Sequence, residues 1–139
     1  MIYKNAFCNK EKSRICEIAL QTRLHLEYGV LEHWYRYPDL LPIMTYVMDG
    51  KNIIGIGTCL RYNNRVIVGI YVRHAYRRKG IGTMILSKML LRLPFDTKAV
   101  YAQENIYNKI KNWNLPFEVK KLARGTAPTQ LKKSRRIYG

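Results

Sequence analysis

The 139-residue sequence contains no apolar run as long as the about eighteen residues that a membrane-spanning helix needs. Its first residues, Met1-Ile2-Tyr3-Lys4, also lack the apolar core of a signal peptide. We therefore expect a cytoplasmic protein with no membrane association.

Cysteine is scarce as well, and its positions are scattered. The sequence has only Cys8, Cys16 and Cys59, with no C-x-x-C pair and no histidine at metal-ligand spacing beside them. Such an odd, dispersed set predicts neither a disulfide framework nor a structural zinc site. We expect no metal.

Carboxylates are the third scarce group, since nine Asp and Glu face 25 Lys and Arg, for a formal net charge of +16. No carboxylate lies between Asp49 and Asp96, and none lies from Val119 to the last residue of the sequence. A positive field of this kind attracts polyanions and repels polyamines. The basic segment 119–139 could bind such a partner, or it could be a solvated end.

Apolar residues, by contrast, make up 47% of the sequence, which is enough for the core of one domain spanning residues 1–139. Helical spacing of apolar residues predicts a first helix over about residues 9–28, ended by Gly29, and then an irregular helix or loop over 30–41. β-Branched stretches predict antiparallel strands near 43–48, 52–61 and 65–73, joined by tight turns at Asp49-Gly50 and Asn63-Asn64.

The second half of the sequence alternates helix and strand. An apolar helix is predicted from Ile81 to before Pro94, a strand over 98–103, a helix over 105–113 and a short strand over 117–122. This order predicts an α+β (α/β) fold with a mixed, mostly antiparallel sheet flanked by helices.

A basic turn with two glycines joins the third predicted strand to the apolar helix. The segment from Val72 to Gly82 ends in Arg77-Arg78-Lys79-Gly80-Ile81-Gly82. The first turn of a helix has unpaired N–H groups and the positive end of the helix dipole, and glycine lets a phosphate approach the backbone. A glycine pair at such a turn can also simply relieve crowding, and the segment lacks the third glycine of a dinucleotide fingerprint.

This turn resembles the central motif of the GNAT N-acetyltransferase superfamily, in which a valine precedes an aromatic residue, an Arg or Gln and a pair of small residues around an aliphatic one. The matching residues are Val72, Tyr76, Arg77, Gly80, Ile81 and Gly82, and His74 stands in the place of a proline. A second motif of the family is similar to the segment from Asn105 to Phe117. There, Asn108 replaces a small residue and Asn112 replaces a tyrosine.

The resemblance implies a fourth strand that splays from the fifth and acetyl-CoA (CoA) as the cofactor. In this sequence, the backbone of Ile70, Tyr71 and Val72 would pair with pantetheine, and Asn105 would contact the cofactor arm. The residues implied to surround the pyrophosphate are Arg77, Arg78, Lys79, Gly80, Ile81, Gly82 and Thr83.

The implied activity is transfer of an acetyl group to a primary amine. In many members of the family, the tyrosine that Asn112 replaces is the acid that protonates the leaving thiolate. Asn112 cannot serve as this acid, so Tyr107 is the substitute candidate, with a plain packing role as the alternative. Glu104 is the candidate base, although a carboxylate there also suits a helix N-terminus. Glu32 and His33 are the other candidates.

Charge and acid–base chemistry both bear on which amine accepts the acetyl group. An α-amine with a pKa of about 7.7–8.0 has a large neutral fraction at neutral pH, whereas a lysine has almost none, so an α-amine needs little help from a base. The positive charge favours an amine on tRNA, on another RNA-associated molecule or on a protein. The alternative is a non-catalytic module that binds nucleic acid or an acidic partner, and a second copy of the chain could complete the C-terminal end as a homodimer.

Overall fold

The computed structural model describes residues 1–21, 28–62 and 65–122. Two 3-10 turns, Pro38–Leu40 and His74–Tyr76, accompany the helices and strands. In chain order the helices and strands are β1 (Ile2–Ala6), α1 (Asn9–Gln21), α2 (Tyr28–Arg36), β2 (Ile43–Asp49), β3 (Asn52–Tyr62), β4 (Arg65–Val72), α3 (Ile81–Leu90), β5 (Ala99–Ala102), α4 (Glu104–Ile110) and β6 (Glu118–Lys121).

The six strands form one sheet in the same order as in the chain. The pairings from β1 to β4 are antiparallel, and those of β4 with β5 and of β5 with β6 are parallel. Parallel neighbours need a crossover, which α3 and α4 provide. The predicted mixed, mostly antiparallel sheet flanked by helices is confirmed.

The central strands match their predicted bounds to within one residue, and the turn at Asp49-Gly50 is confirmed by a φ of +60° at Gly50. The first predicted helix is wrong at its end, because Gly29 lies inside α2 and does not end a helix. Strand β1 was not predicted at all. The predicted turn at Asn63-Asn64 and residues 123–139 of the basic segment lie outside the described residues.

Helices cover both faces of the sheet, so the middle strands are apolar on both sides. On one face, Ile15 of α1 and Trp34 of α2 pack with Ile56 and Tyr71 of the sheet. On the other face, α3 packs against β2, β3 and β4. A Cβ atom on Gly57 would overlap Ile85 Cγ2, so this glycine sets how closely α3 approaches β3.

Strands β4 and β5 separate soon after they meet. Their ladder has only two residue pairs, Ile67 with Tyr101 and Val68 with Ala102, after which the chain leaves the sheet to begin α4. Strand β4 continues to Val72. The predicted splay of the fourth and fifth strands is therefore confirmed, and residues 69–72 form an edge that β5 does not cover.

The backbone orientation along this edge follows from the antiparallel pairing on its other side. The Arg73 N–H donates to the Ile54 carbonyl of β3 at 2.8 Å. Because successive residues of a strand direct their N–H and C=O groups to opposite sides, the backbone groups of Ile70 and Val72 point away from β3 and into the gap.

Candidate active site

A cavity of about 520 Å³ opens where β4 and β5 separate. Its volume lies within the range of about 300–1,000 Å³ that is usual for small-molecule sites. The lining residues come from β4, from the turn that leads into α3, and from the start of α4. They are Ile67, Val68, Gly69, Ile70, Tyr71, Val72, Tyr76, Arg77, Arg78, Gly80, Ile81, Gly82, Thr83, Gln103, Asn105, Ile106 and Lys109.

One wall of the cavity is the N-terminus of α3. Gly80 is the N-cap, with a φ of +80° and no side-chain capping bond. The N–H groups of Ile81, Gly82 and Thr83 belong to the first turn and have no partner within the helix. They open towards the cavity with the positive end of the helix dipole, which is a physical basis for binding an anion.

The backbone before the helix is unusual at two positions. Arg78 has a φ of +62°, and among the described residues it is the one non-glycine residue in this left-handed region. A Cβ on Gly80 would meet no atom within 4 Å, so glycine is favoured there by its backbone conformation and not by lack of space. Strained backbone of this kind often occurs at functional sites.

Side chains fix the turn to the end of the sheet. Arg77 Nε donates to the Val72 carbonyl at 2.9 Å. The Tyr76 hydroxyl donates to Asp49 Oδ2 at 2.7 Å, and this hydrogen bond is the main cause of a raised pKa at Tyr76. These contacts tie the turn to β2 and β4, and the first keeps the Arg77 side chain beside β4 at the cavity.

The residues predicted to hold the cofactor lie together, with one exception. Ile70, Tyr71, Val72, Asn105 and the turn residues all line the cavity except Lys79. Lys79 is exposed, and its Nζ lies 5.8 Å from the centroid of the Tyr76 ring.

The two residues predicted to carry out proton transfer do not line the cavity. Tyr107 packs against the core on the α4 side, with the Nζ atoms of Lys111 and Lys121 at 5.9 and 6.0 Å from its ring centroid. Glu104 is exposed and pairs with Lys121 at 3.3 Å. Both side chains therefore have surroundings that do not involve the cavity.

The other candidates also lie elsewhere. Glu32 pairs with Arg36 on the surface of α2 at 3.4 Å. His33 is buried, with its ring centroid 5.0 Å from that of Tyr37. Asn112 lies in the turn after α4 and is exposed. None of these three residues lines the cavity.

Sequence reasoning missed three polar lining residues, Tyr76, Gln103 and Lys109. Lys109 could have been found, because it lies four residues after Asn105 and so shares its helix face. With Arg77 and Arg78 it makes the lining cationic, and no carboxylate is among the described residues that form it.

The cavity reaches both faces of the sheet through the gap. Tyr71 lies on the face covered by α1 and α2, where Trp34 packs against it edge-on with 5.6 Å between ring centroids. Val68 and Ile70 lie with the residues on the α3 and α4 side. Two reactants could therefore meet in the gap from opposite faces.

This chain belongs to the acetyltransferase (GNAT) family, whose sequence profile matches residues 10–108. The predicted family is thereby confirmed. No curated protein matches the chain. Within the described residues, no helix is long and apolar enough to cross a membrane, and no group of three or more His, Cys, Asp or Glu side chains is placed to hold a metal ion.

Solved structures of acetyltransferases are similar at low identity. An acetyltransferase from Salmonella typhimurium with its cofactor acetyl-CoA has 19% identity and a TM-score of 0.44, over 65% of this chain and 62% of that one. A phosphinothricin acetyltransferase from Sinorhizobium meliloti with acetyl-CoA has 21% identity and a TM-score of 0.45, over 66% and 58%. A GNAT family protein from Streptococcus pneumoniae has 13% identity and a TM-score of 0.48, over 99% and 86%. The match thus spans less than two thirds of the first two proteins.

Proposed function

We propose that this protein binds acetyl-CoA in the cavity between β4 and β5 and transfers the acetyl group to a primary amine. One observation carries the proposal: the uncovered edge of β4 and the N-terminus of α3 open into the same cavity. A strand edge can pair with an amide-containing chain, and a helix N-terminus can hold a phosphate. Acyl-CoA contains both groups in one molecule.

The two features fix the direction in which the cofactor would lie. The pyrophosphate would accept hydrogen bonds from the N–H groups of residues 81–83, with Arg77 and Arg78 beside it. Pantetheine would extend along β4 and pair with the backbone groups of Ile70 and with the N–H of Val72, whose carbonyl already accepts a hydrogen bond from Arg77 Nε. The thioester would then lie near Gly69, where β5 leaves β4.

The reaction would be direct transfer. The amine enters from the side covered by α1 and α2 and attacks the thioester carbonyl, so a C–N bond forms while the C–S bond breaks. The proton of the amine goes to water, and CoA leaves as the thiolate, which the cationic lining favours electrostatically. Since no carboxylate is among the described lining residues, the acceptor that fits best is an amine with a large neutral fraction, such as an α-amine.

The charge of the whole chain supports an acceptor carried on a polyanion. The net charge of +16 would repel a polyamine or an aminoglycoside and attract an aminoacyl-tRNA or an acidic protein complex. A purely non-catalytic module is not favoured, because a nucleic acid-binding surface needs neither the strand gap nor the anion site at α3.

The test is a glutamate placed in the anion site. Gly82 lines the cavity, and a Cβ there would make ordinary contacts, the nearest being Ile70 Cδ1 at 3.6 Å. Gly82→Glu should therefore fold but lose CoA affinity by about 100-fold or more, because its carboxylate would face the pyrophosphate. Calorimetric titration with CoA measures the affinity, and circular dichroism checks the fold.

A matched control adds the same carboxylate elsewhere on the same helix. Met84 is exposed and does not line the cavity, so Met84→Glu should keep CoA affinity. Unchanged CoA binding by a folded Gly82→Glu variant would disprove the site. Turnover is measured as release of free CoA thiol from acetyl-CoA with peptide, aminoacyl-tRNA and polyamine acceptors, and preference for a polyamine would reject the proposed acceptor class.

A further inference from the structure

Two cationic side chains lie near each other at the end of α3 that is farther from the cavity. Lys12 of α1 is only 6% exposed, and its Nζ donates to the Pro42 carbonyl at a long 3.5 Å. Arg92 follows α3 by two residues. Because α3 has ten residues and rises about 1.5 Å per residue, about 15 Å of helix separates this corner from Gly80, the N-cap residue at the anion site.

Neighbouring contacts place both cations at one corner of the sheet. Pro42 precedes Ile43, which pairs with Cys59 of β3. Burial raises the pKa of the Cys59 thiol to about 12, and the nearby Arg92 guanidinium opposes this shift. Burial lowers the pKa of Lys12, and the positive charge of Arg92 lowers it further. The Phe7 ring centroid lies 5.5 Å from Arg92 Cζ, and the Lys12 N–H donates to the Cys8 carbonyl at 3.0 Å, so both cationic residues lie beside the start of α1.

No carboxylate of the described part of the chain compensates these charges. Glu11 is the sequence neighbour of Lys12, but its two oxygens accept from the Phe7 N–H at 3.0 Å and from the Tyr46 hydroxyl at 3.3 Å. The ion pairs between described residues include neither Lys12 nor Arg92. Arg92 Nη1 is buried and has no hydrogen-bond partner among those residues. Burying like charges without an anion is costly.

We propose that Lys12 and Arg92 form a binding site for a phosphate group, separate from the cofactor cavity. A guanidinium and an ammonium from different elements offer several donors to a tetrahedral dianion, and charge-assisted hydrogen bonds of this kind are strong. Phe7 is 78% exposed, and its ring centroid lies 5.5 Å from Arg92 Cζ. The phosphate can therefore be free or can belong to a molecule whose apolar part contacts Phe7.

The experiment titrates inorganic phosphate into the full chain at constant ionic strength, with and without saturating CoA. With CoA saturating, so that the anion site at α3 is filled, we expect saturable binding of one phosphate per chain. Lys12→Met and Arg92→Gln should each weaken it by about tenfold or more, since each removes a charged partner. Lys10→Met is the matched control, because Lys10 is exposed on the same helix and should not affect phosphate binding.

Melting temperatures, a second variant of Arg92 and two further ligands also test the proposed phosphate site. Phosphate should raise the melting temperature of the wild-type protein and of Lys10→Met but not of Lys12→Met, while CoA affinity stays the same in all three. If Arg92→Gln does not fold, Arg92→Lys should bind phosphate with intermediate affinity. Tighter binding of phenyl phosphate would assign the site to an organic phosphate, and equal affinity to a free one. Absence of saturable binding, equal phosphate affinity in all variants, or equal binding of acetate would overturn the proposal.

Discussion

The three cysteines have different surroundings, which predict different reactivity. Burial raises the pKa of Cys16 and of Cys59 to about 12, whereas Cys8 is exposed. Because the thiolate is the reactive form, only Cys8 should react with a thiol reagent at pH 7.5. Titration with Ellman's reagent should give one equivalent per folded chain and three in denaturant. Cys8→Ser should show none while folded, and rapid reaction of a second thiol in the native protein would contradict this assignment.

The substitution Tyr107→Phe tests whether a side chain outside the cavity takes part in proton transfer. Its ring packs against the core beside Lys111 and Lys121, and it does not line the cavity. We therefore expect Tyr107→Phe to keep kcat within about twofold at saturating acetyl-CoA and acceptor, since no interaction limited to the transition state is removed. A loss of about 100-fold in kcat with an unchanged CoA affinity would instead assign the leaving-group acid to Tyr107.

The close packing of helix α3 on strand β3 depends on Gly57, which has no side chain at the contact. A methyl group on Gly57 would collide with Ile85 Cγ2 and come within 3.3 Å of Met89 Sδ. Gly57→Ala should therefore lower the free energy of unfolding by about 1–3 kcal/mol, the usual cost of overpacking. Urea unfolding followed by circular dichroism measures this change.

A double-mutant cycle separates the collision from a general weakness of the strand. Ile85→Ala removes the atom that the new methyl group meets, so Gly57→Ala should cost less in that background than in the wild type. Equal costs in both backgrounds would show that α3 is not held at this distance by Gly57.

The elements that could be predicted from the sequence are those with a strong local signal. β2, β3 and β4 are rich in β-branched residues, and the turn at Asp49-Gly50 has the residue types that a tight hairpin requires. In contrast, β1 has only Ile2 and Tyr3 as large apolar residues, side by side, so alternation could not reveal it. It is a strand because its backbone pairs with β2, a contact that no local pattern encodes. Gly29 resembled a helix end because glycine is common there, yet it lies within α2.

The residues of the cavity also differ in whether a local sequence signal could reveal them. The turn from Arg77 to Gly82 carries its own signal in its glycines and charge, and all its residues but Lys79 line the cavity. Tyr107 was chosen for its chemistry and its closeness in sequence to Asn105. Two residues along a helix correspond to about 200°, however, so the two side chains face different directions. The helix period favoured Lys109 instead.

The whole molecule is expected to bind RNA in a strongly salt-dependent way. Lys and Arg that contact phosphates release condensed counterions, so affinity falls as salt rises, with a slope of about 0.7 per contact for single strands. Replacing Lys132, Lys133, Arg135 and Arg136 by Gln should flatten this slope while leaving CoA affinity unchanged. Fluorescence anisotropy with a labelled tRNA across a salt series measures it.

The control for this experiment removes the same charge from exposed positions on another part of the chain. Lys4, Lys10, Arg14 and Lys51 are all exposed and serve this purpose when replaced by Gln. Equal slopes in the two variants would show that binding depends only on net charge. Salt-insensitive or absent RNA binding by the wild-type protein would move the proposed acceptor from RNA to a protein.

The sheet has a further consequence for biosynthesis, because its strands lie in the order in which the ribosome makes them. None of the six described strands has to be inserted later between two earlier ones, so each can pair with its predecessor as it leaves the ribosome. The wall of the cavity that includes β4 and the turn before α3 can therefore form first. The opposite wall, from Gln103 to Lys109, emerges about twenty residues later, roughly one to four seconds at typical synthesis rates. During that interval the nascent chain would present the β4 edge and the anion site uncovered to solvent, and α4 would complete the cavity only when it arrives.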